Sequence, residues 1–264
     1  MSTVSSPRAN GAARGYALEP DPQARDQKLG RLGGIWFLVT FVTSVPAALL
    51  YDPLLNDADY ILGDSAVARI QIGALLEVGL VISCVATAIV FYPVLRRQSE
   101  VLSLGCVATR IIESCLIAVG IVSVLAVLTL REDLASSAAG LDTTGQALVA
   151  VHDATFLLGP AFCAGFGNGL LLGWLMYRSG LLPRRMALIG VIGGPLAFLG
   201  ATLVLFGAFD NTSAPKVLIT VPEIIWELSL GIYLTLKGFR RSSPLLQQTQ
   251  LHPAQETPPA VATP

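Results

Sequence analysis

The sequence predicts an all-α integral membrane protein, a bundle of six spanning helices with both termini on the cytoplasmic side. Three observations predict it. Of the 264 residues, 53% are hydrophobic and only 13% are charged, where soluble domains carry about 25% charged residues. The apolar residues gather in six blocks, each near or above the roughly 20 residues that cross a bilayer at 1.5 Å rise. Lys and Arg concentrate at both termini and in alternate connections, the bias of cytoplasmic segments.

The first block, Leu32–Tyr51, begins well inside the chain and has full spanning length. The nearest A-x-A, Ala66-Val67-Ala68, lies far past its end, so the block reads as a span and not as a cleaved leader. The second, Ile70–Leu95, carries Gly73, Glu77, Cys84 and Thr87 on one helical face. The third, Leu104–Leu130, holds Arg110 and Glu113 at i,i+3, where they can pair. The fourth, Ala147–Tyr177, contains His152, Asp153 and the dipeptide Gly159-Pro160. That proline removes a backbone donor near ionisable groups, and interrupted helices can expose backbone at a midplane site. Gly165, Gly169 and Gly173 follow at intervals of four, as do Gly190 and Gly194 in the fifth block, Met186–Phe209. Small residues at this spacing let helices approach closely. Packing inside the bundle is the preferred reading, and a homodimer face the alternative. The sixth block, Val217–Leu236, places Thr220, Glu223, Glu227, Gly231 and Thr235 in one polar stripe.

Orientation follows from the loops. Arg25, Lys28 and Arg31 precede the first span, Arg96 and Arg97 follow the second, Arg178, Arg184 and Arg185 follow the fourth, and Lys237, Arg240 and Arg241 follow the sixth. The other three loops hold Arg69, Arg131 and Lys216 singly, among acids that include Asp57 and Asp59. That acidic first loop lacks the ligand pattern of an EF-hand and reads as a solvated face. Residues 1–30 and 242–264 lack an apolar period and are expected to be disordered tails around one domain, 31–241.

Function is sought among the ionisable residues of the spans, which are expensive there and usually face a bundle interior or watery cavity. There are seven: Glu77, Arg110, Glu113, His152, Asp153, Glu223 and Glu227. Glu113 and Glu227 lie roughly 14 and 15 Å into their apolar runs, near the midplane. Turning the polar stripes inward gathers these groups around Arg110. One arginine cannot neutralise five carboxylates, so some acids must be protonated, hydrated or paired with another cation. A proton or cation pathway, a pocket for a small charged ligand, and a polar lock that fixes helix register all meet that requirement. An intramembrane enzyme using the same carboxylates and His152 is the rival class, but no H-E-x-x-H, G-x-S-x-G, Walker loop or dinucleotide fingerprint supports it. The four cysteines lack metal-ligand spacing and read as packing residues. No metal or cofactor is expected. The expected partners are the lipid bilayer and a small ligand or cation, with no nucleic acid.

Several stretches together resemble the prokaryotic membrane proteins grouped as domain of unknown function 4386. They are LLNDADYI after the first span, FYPVLRR ending the second, RIIE in the third, LMYRSGLLPRRMALIG joining the fourth and fifth, and ELSLGIYLTLKGF in the sixth. The resemblance covers about Arg31 to Phe239. It implies a multipass protein of the prokaryotic cytoplasmic membrane with no established activity or cofactor. Arg110, Glu113 and Glu227 fall on its charged motifs.

Overall fold

The computed structural model describes residues 21–56, 60, 67–133, 141–211 and 213–251. Its helices are α1 (Pro22–Asn56), α2 (Val67–Leu95), α3 (Glu100–Asp133), α4 (Leu141–Phe156), α5 (Gly173–Ser179), α6 (Arg184–Leu205), α7 (Ala214–Lys237) and α8 (Pro244–Leu251). Between α4 and α5 the chain continues as a π-helix over Leu157–Leu172, so α4, this segment and α5 make one span. Among the described residues, six helical stretches are therefore long and apolar enough to cross a membrane.

The spans form a ring. Consecutive spans pack side by side, and α7 returns to pack on α1. The ring's outside is apolar, with Val42, Leu75, Val101, Leu218 and Leu236 among the large exposed side chains. Lipid is the medium in which such a surface is at rest. Two buried apolar clusters fill the inside. Phe37, Phe91, Met176, Trp226, Leu234 and Phe239 belong to one. Tyr51, Leu54, Ile70, Ile117, Val124 and Leu128 belong to the other. Along α3 the buried positions run from Cys106 in the first cluster, through Arg110 and Glu113, to Ile117 in the second. A polar layer thus separates two apolar ones.

Glycine rows set the closest approaches. A Cβ on Gly165 would sit 2.9 Å from the Gly194 carbonyl oxygen, and one on Gly173 would sit 3.0 Å from the Gly190 carbonyl carbon. The glycines of the fourth and fifth spans therefore face each other within the chain. Gly34 plays the same part between α1 and α7, where a Cβ would sit 2.9 Å from the Gly231 carbonyl oxygen.

Both domain boundaries differ from the sequence expectation. Helix α1 starts at Pro22, not near residue 31, because local signals nucleate it. Asp21 accepts a hydrogen bond from the Gln23 N–H at 3.0 Å, and Pro22 occupies the first helical position. Buried Asp26 then pairs with Arg97 at 2.6 Å, tying the extension to the α2–α3 turn. At the other end, residues 244–251 form α8, with Leu245 and Leu246 buried. Gly180, in the left-handed region at φ 68°, ends α5, and the turn behind it is clamped by the returning chain. The Arg240 N–H donates to the Leu181 carbonyl at 2.8 Å, and the Ser243 hydroxyl to the Ser179 carbonyl at 2.7 Å. Residues 1–20 and 252–264, and Asp57 and Asp59, lie outside the described residues.

The start of α1, the α2–α3 turn, the α5–α6 turn and the α7–α8 link share one end of the ring. Gln27 donates to the Phe239 carbonyl there at 2.7 Å. Four cations at that end lie over aromatic rings: Arg96 on Tyr92, Arg178 on Trp174, Arg184 on Tyr177 and Lys237 on Tyr233, at 5.6–5.9 Å from the centroids. Such a belt of amphipathic rings and cations matches a membrane–water boundary.

Candidate functional site

The polar layer lines a cavity of about 210 Å³ to which every span contributes. One water needs only about 10–15 Å³ on this measure. Thr40 and Ser44 come from α1, Cys84 from α2, Arg110 and Glu113 from α3, Pro160 and Ala164 from the π-helical segment, Ala197 from α6, and Lys216, Thr220, Glu223 and Glu227 from α7.

Helical spacing explains each wall. On α3, Arg110 and Glu113 are one turn apart, and Arg110 Nη1 lies 2.9 Å from Glu113 Oε2. Arg110 Nε also donates to the Thr87 hydroxyl at 3.2 Å, and its guanidinium carbon sits 5.1 Å from the Phe37 ring centroid. The guanidinium is thereby held by a carboxylate, a hydroxyl and a ring, which together replace its water. On α7, Glu227 accepts a hydrogen bond from Asn168 Nδ2 at 2.6 Å. Trp226, fully buried, donates from Nε1 to the Asn168 carbonyl at 2.9 Å. Both bonds fasten α7 to the π-helical segment.

Glu223 differs. It is 3% exposed, and neither carboxylate oxygen has a hydrogen-bond partner among the described residues. A Cβ on Gly169 would collide with its Oε2, so the glycine admits the carboxylate against the π-helical segment. Nearby, buried Lys216 donates from Nζ to the Thr220 hydroxyl at 3.2 Å. The cavity wall therefore holds two cations, Arg110 and Lys216, and three carboxyl groups.

The π-helical segment gives this wall its shape. Sixteen residues of i→i+5 bonding is long for a form usually seen as single-turn bulges, frequently at functional sites. It starts beside Gly159-Pro160, the interruption the sequence marks, and Pro160 itself lines the cavity.

The seven candidate residues do not form one cluster around Arg110. Arg110, Glu113, Glu223 and Glu227 share the cavity. Glu77 and His152 lie in a second cavity of about 520 Å³ toward the opposite end from the cation–aromatic belt. Glu77 Oε2 accepts a hydrogen bond from the Tyr51 hydroxyl at 3.0 Å, and its Oε1 lies 4.0 Å from His152 Nε2. The His152 ring stacks on Phe156 at 4.5 Å. Phe156 lines both cavities and so forms part of the partition between them. Asp153 also lines the second cavity and approaches His152 Nδ1 at 3.4 Å, with its side chain 60% exposed. The separation has a simple cause: the α2 residues at Arg110 are Cys84 and Thr87, and Glu77 lies seven residues, about two turns, before the nearer of them.

Three site residues escape the sequence reading. Lys216 counts as an outer-loop cation there, yet it is one helical step before Thr220 and extends the α7 stripe. Asn168, between two glycines, is a lone amide in an apolar span, which is itself a signal. Tyr51 ends the first apolar block, and only the fold reveals its hydroxyl against Glu77. Among the described residues no group of three or more His, Cys, Asp or Glu side chains could hold a metal ion. The four cysteines are free thiols.

No curated protein and no solved structure matches the chain. The model of one family, described as a domain of unknown function (DUF4386), matches residues 32–238. With six apolar spans and that match over most of its length, the chain is a multipass membrane protein that belongs to the DUF4386 family.

Proposed function

We propose that this protein binds a small cationic ligand, an organic ammonium or a monovalent cation, in the cavity of the polar layer, and that binding serves its transport. One observation carries the reading: the buried Glu223 carboxylate lines the cavity with neither oxygen hydrogen-bonded by the chain. A buried carboxylate left so is costly, whether charged or neutral, and a donor-bearing cation removes the cost. Glu227, the Arg110–Glu113 pair and Lys216 already have partners within the protein, so Glu223 is the group that discriminates.

Three further features support transport as the use of the site. Walls from all six spans make the cavity sensitive to movement of any one of them. The second cavity, around Glu77 and His152, lies beyond Phe156 on the way to the opposite end. The interrupted fourth span resembles the broken helices that line transport sites. The proposed setting is the cytoplasmic membrane, with both termini inside, supported by the loop-charge bias and by the cation–aromatic belt at the end that carries the start of α1 and the α7–α8 link. Mass-spectrometric inventory of small molecules released from the purified protein tests the reading. A cationic compound retained by the parent and lost from Glu223→Gln is expected. Equal retention by both proteins contradicts it.

A further inference from the structure

We infer that a groove at the belt end of α1 binds the headgroup of an anionic phospholipid. The groove holds about 570 Å³ and is lined by Asp21, Gln27, Lys28, Arg31 and Arg241, with Leu32 and Ile35 continuing its wall. It is remote from the polar-layer cavity and shares no lining residue with it.

Its charge comes from two chain segments more than 200 residues apart. The hydrogen bond from Gln27 to the Phe239 carbonyl holds the start of α1 against the end of α7, which brings Arg241 beside Lys28 and Arg31. None of these three cations makes an ion pair with a described residue. The single acid in the wall, Asp21, is engaged by the Gln23 N–H as a helix cap. Among the cations at the same level, Arg96, Arg178, Arg184 and Lys237 lie over aromatic rings and Arg97 is bound to Asp26, whereas Arg25, Arg185 and Arg240 do not line the groove. The groove thus offers to an anion three cationic side chains that make no ion pair among the described residues.

The order of residues along α1 selects a lipid over a free anion. Lys28, Arg31, Leu32 and Ile35 stand at i, i+3, i+4 and i+7, one face of the helix. Within about 10 Å that face passes from two cations to two exposed apolar side chains. A phospholipid has the same sequence of chemistries, a phosphate followed by an acyl chain. The cation–aromatic belt puts the groove at headgroup depth, where basic pockets beside spanning helices take anionic headgroups.

The test uses the full chain in nanodiscs of phosphatidylcholine with a minor share of phosphatidylglycerol, released into native mass spectrometry. The parent is expected to retain bound phosphatidylglycerol. The triple variant Lys28→Gln, Arg31→Gln, Arg241→Gln is expected to lose at least about tenfold of it, and Arg241→Gln alone an intermediate share. A control triple variant at the same depth, Arg96→Gln, Arg178→Gln, Arg185→Gln, is expected to retain it. Equal loss in the control would mean a diffuse surface charge and would overturn the site. Retention by the groove variant would overturn it too. Glycerol 3-phosphate added to phosphatidylcholine nanodiscs separates the two sources of phosphate. No rise in melting temperature is expected from it, and a rise as large as that given by phosphatidylglycerol would assign the groove to a soluble anion instead.

Discussion

Arg110 Nη1 lies 2.9 Å from Glu113 Oε2, and each side chain is only 6% exposed. A pair this deep constrains what mutation can do. Removing the arginine leaves Glu113 without its cation and also strips Thr87 and Phe37 of their partner. Arg110→Met is expected to lower stability by about 3–5 kcal/mol, and Arg110→Met with Glu113→Met to recover most of the loss. Melting of the single and double variants in detergent checks this. A double variant no better than the single would mean that Thr87, Phe37 or the cavity carboxylates, and not Glu113, set the cost.

Gly165 faces backbone, which cannot move aside as a flexible side chain can. A Cβ there would sit 2.9 Å from both the Gly194 carbonyl oxygen and the Phe198 nitrogen. Gly165→Val is expected to cost about 1–3 kcal/mol. Gly207, at the end of α6, has nothing within 4 Å of an added Cβ and a φ of 70°. Gly207→Asn, which tolerates that conformation, is expected to melt close to the parent.

Helix α8 should behave as part of the domain. Leu246 is 1% exposed and shares an apolar cluster with Leu181, Leu182 and Met176. Leu246→Ala is expected to cost about 2–5 kcal/mol, as for other buried leucines, and truncation after Ser243 at least as much. Thermal melting of both in detergent is the measurement. Parent-like melting of the truncated chain would show that the α5–α6 turn holds without it.

The proposed orientation predicts the reading of reporter fusions. Fusions after Arg97 and Arg185 should report cytoplasm, and fusions near Asp59 and Asp142 the outside. Any one of them on the wrong side would contradict the charge argument.

The spans were legible because a bilayer demands a long apolar run for each crossing, and the sequence shows that directly. Their ends were less so. Helix α1 continues through Gln23, Arg25, Gln27 and Lys28, which no hydropathy argument would include, because a capping aspartate and the Asp26–Arg97 pair stabilise it. Helix α8 offers the adjacent Leu245 and Leu246 and a terminal Leu251, too few for an apolar period, and the surface that buries Leu245 and Leu246 belongs to a turn more than 60 residues earlier. At the site, pairs within one helix were readable, as with Arg110 and Glu113. Pairs between helices were not, because rotation and depth decide them. That is why Glu77 meets Tyr51 and His152 instead of Arg110, and why Lys216 enters the cavity from a position that reads as loop.

In the proposed function, Glu223 receives a small cation in the polar-layer cavity. The most direct measurement is the melting temperature of purified parent and Glu223→Gln across a concentration series of ammonium, methylammonium, sodium and potassium salts. Without added ligand, Glu223→Gln is expected to be at least as stable as the parent, since it removes a buried carboxylate that the chain leaves without a hydrogen bond. With ligand, the parent is expected to gain stability in a saturable way, about 2.7 kcal/mol at a hundredfold excess over the dissociation constant, and the variant to gain little. Identical titrations of the two proteins would contradict the claim.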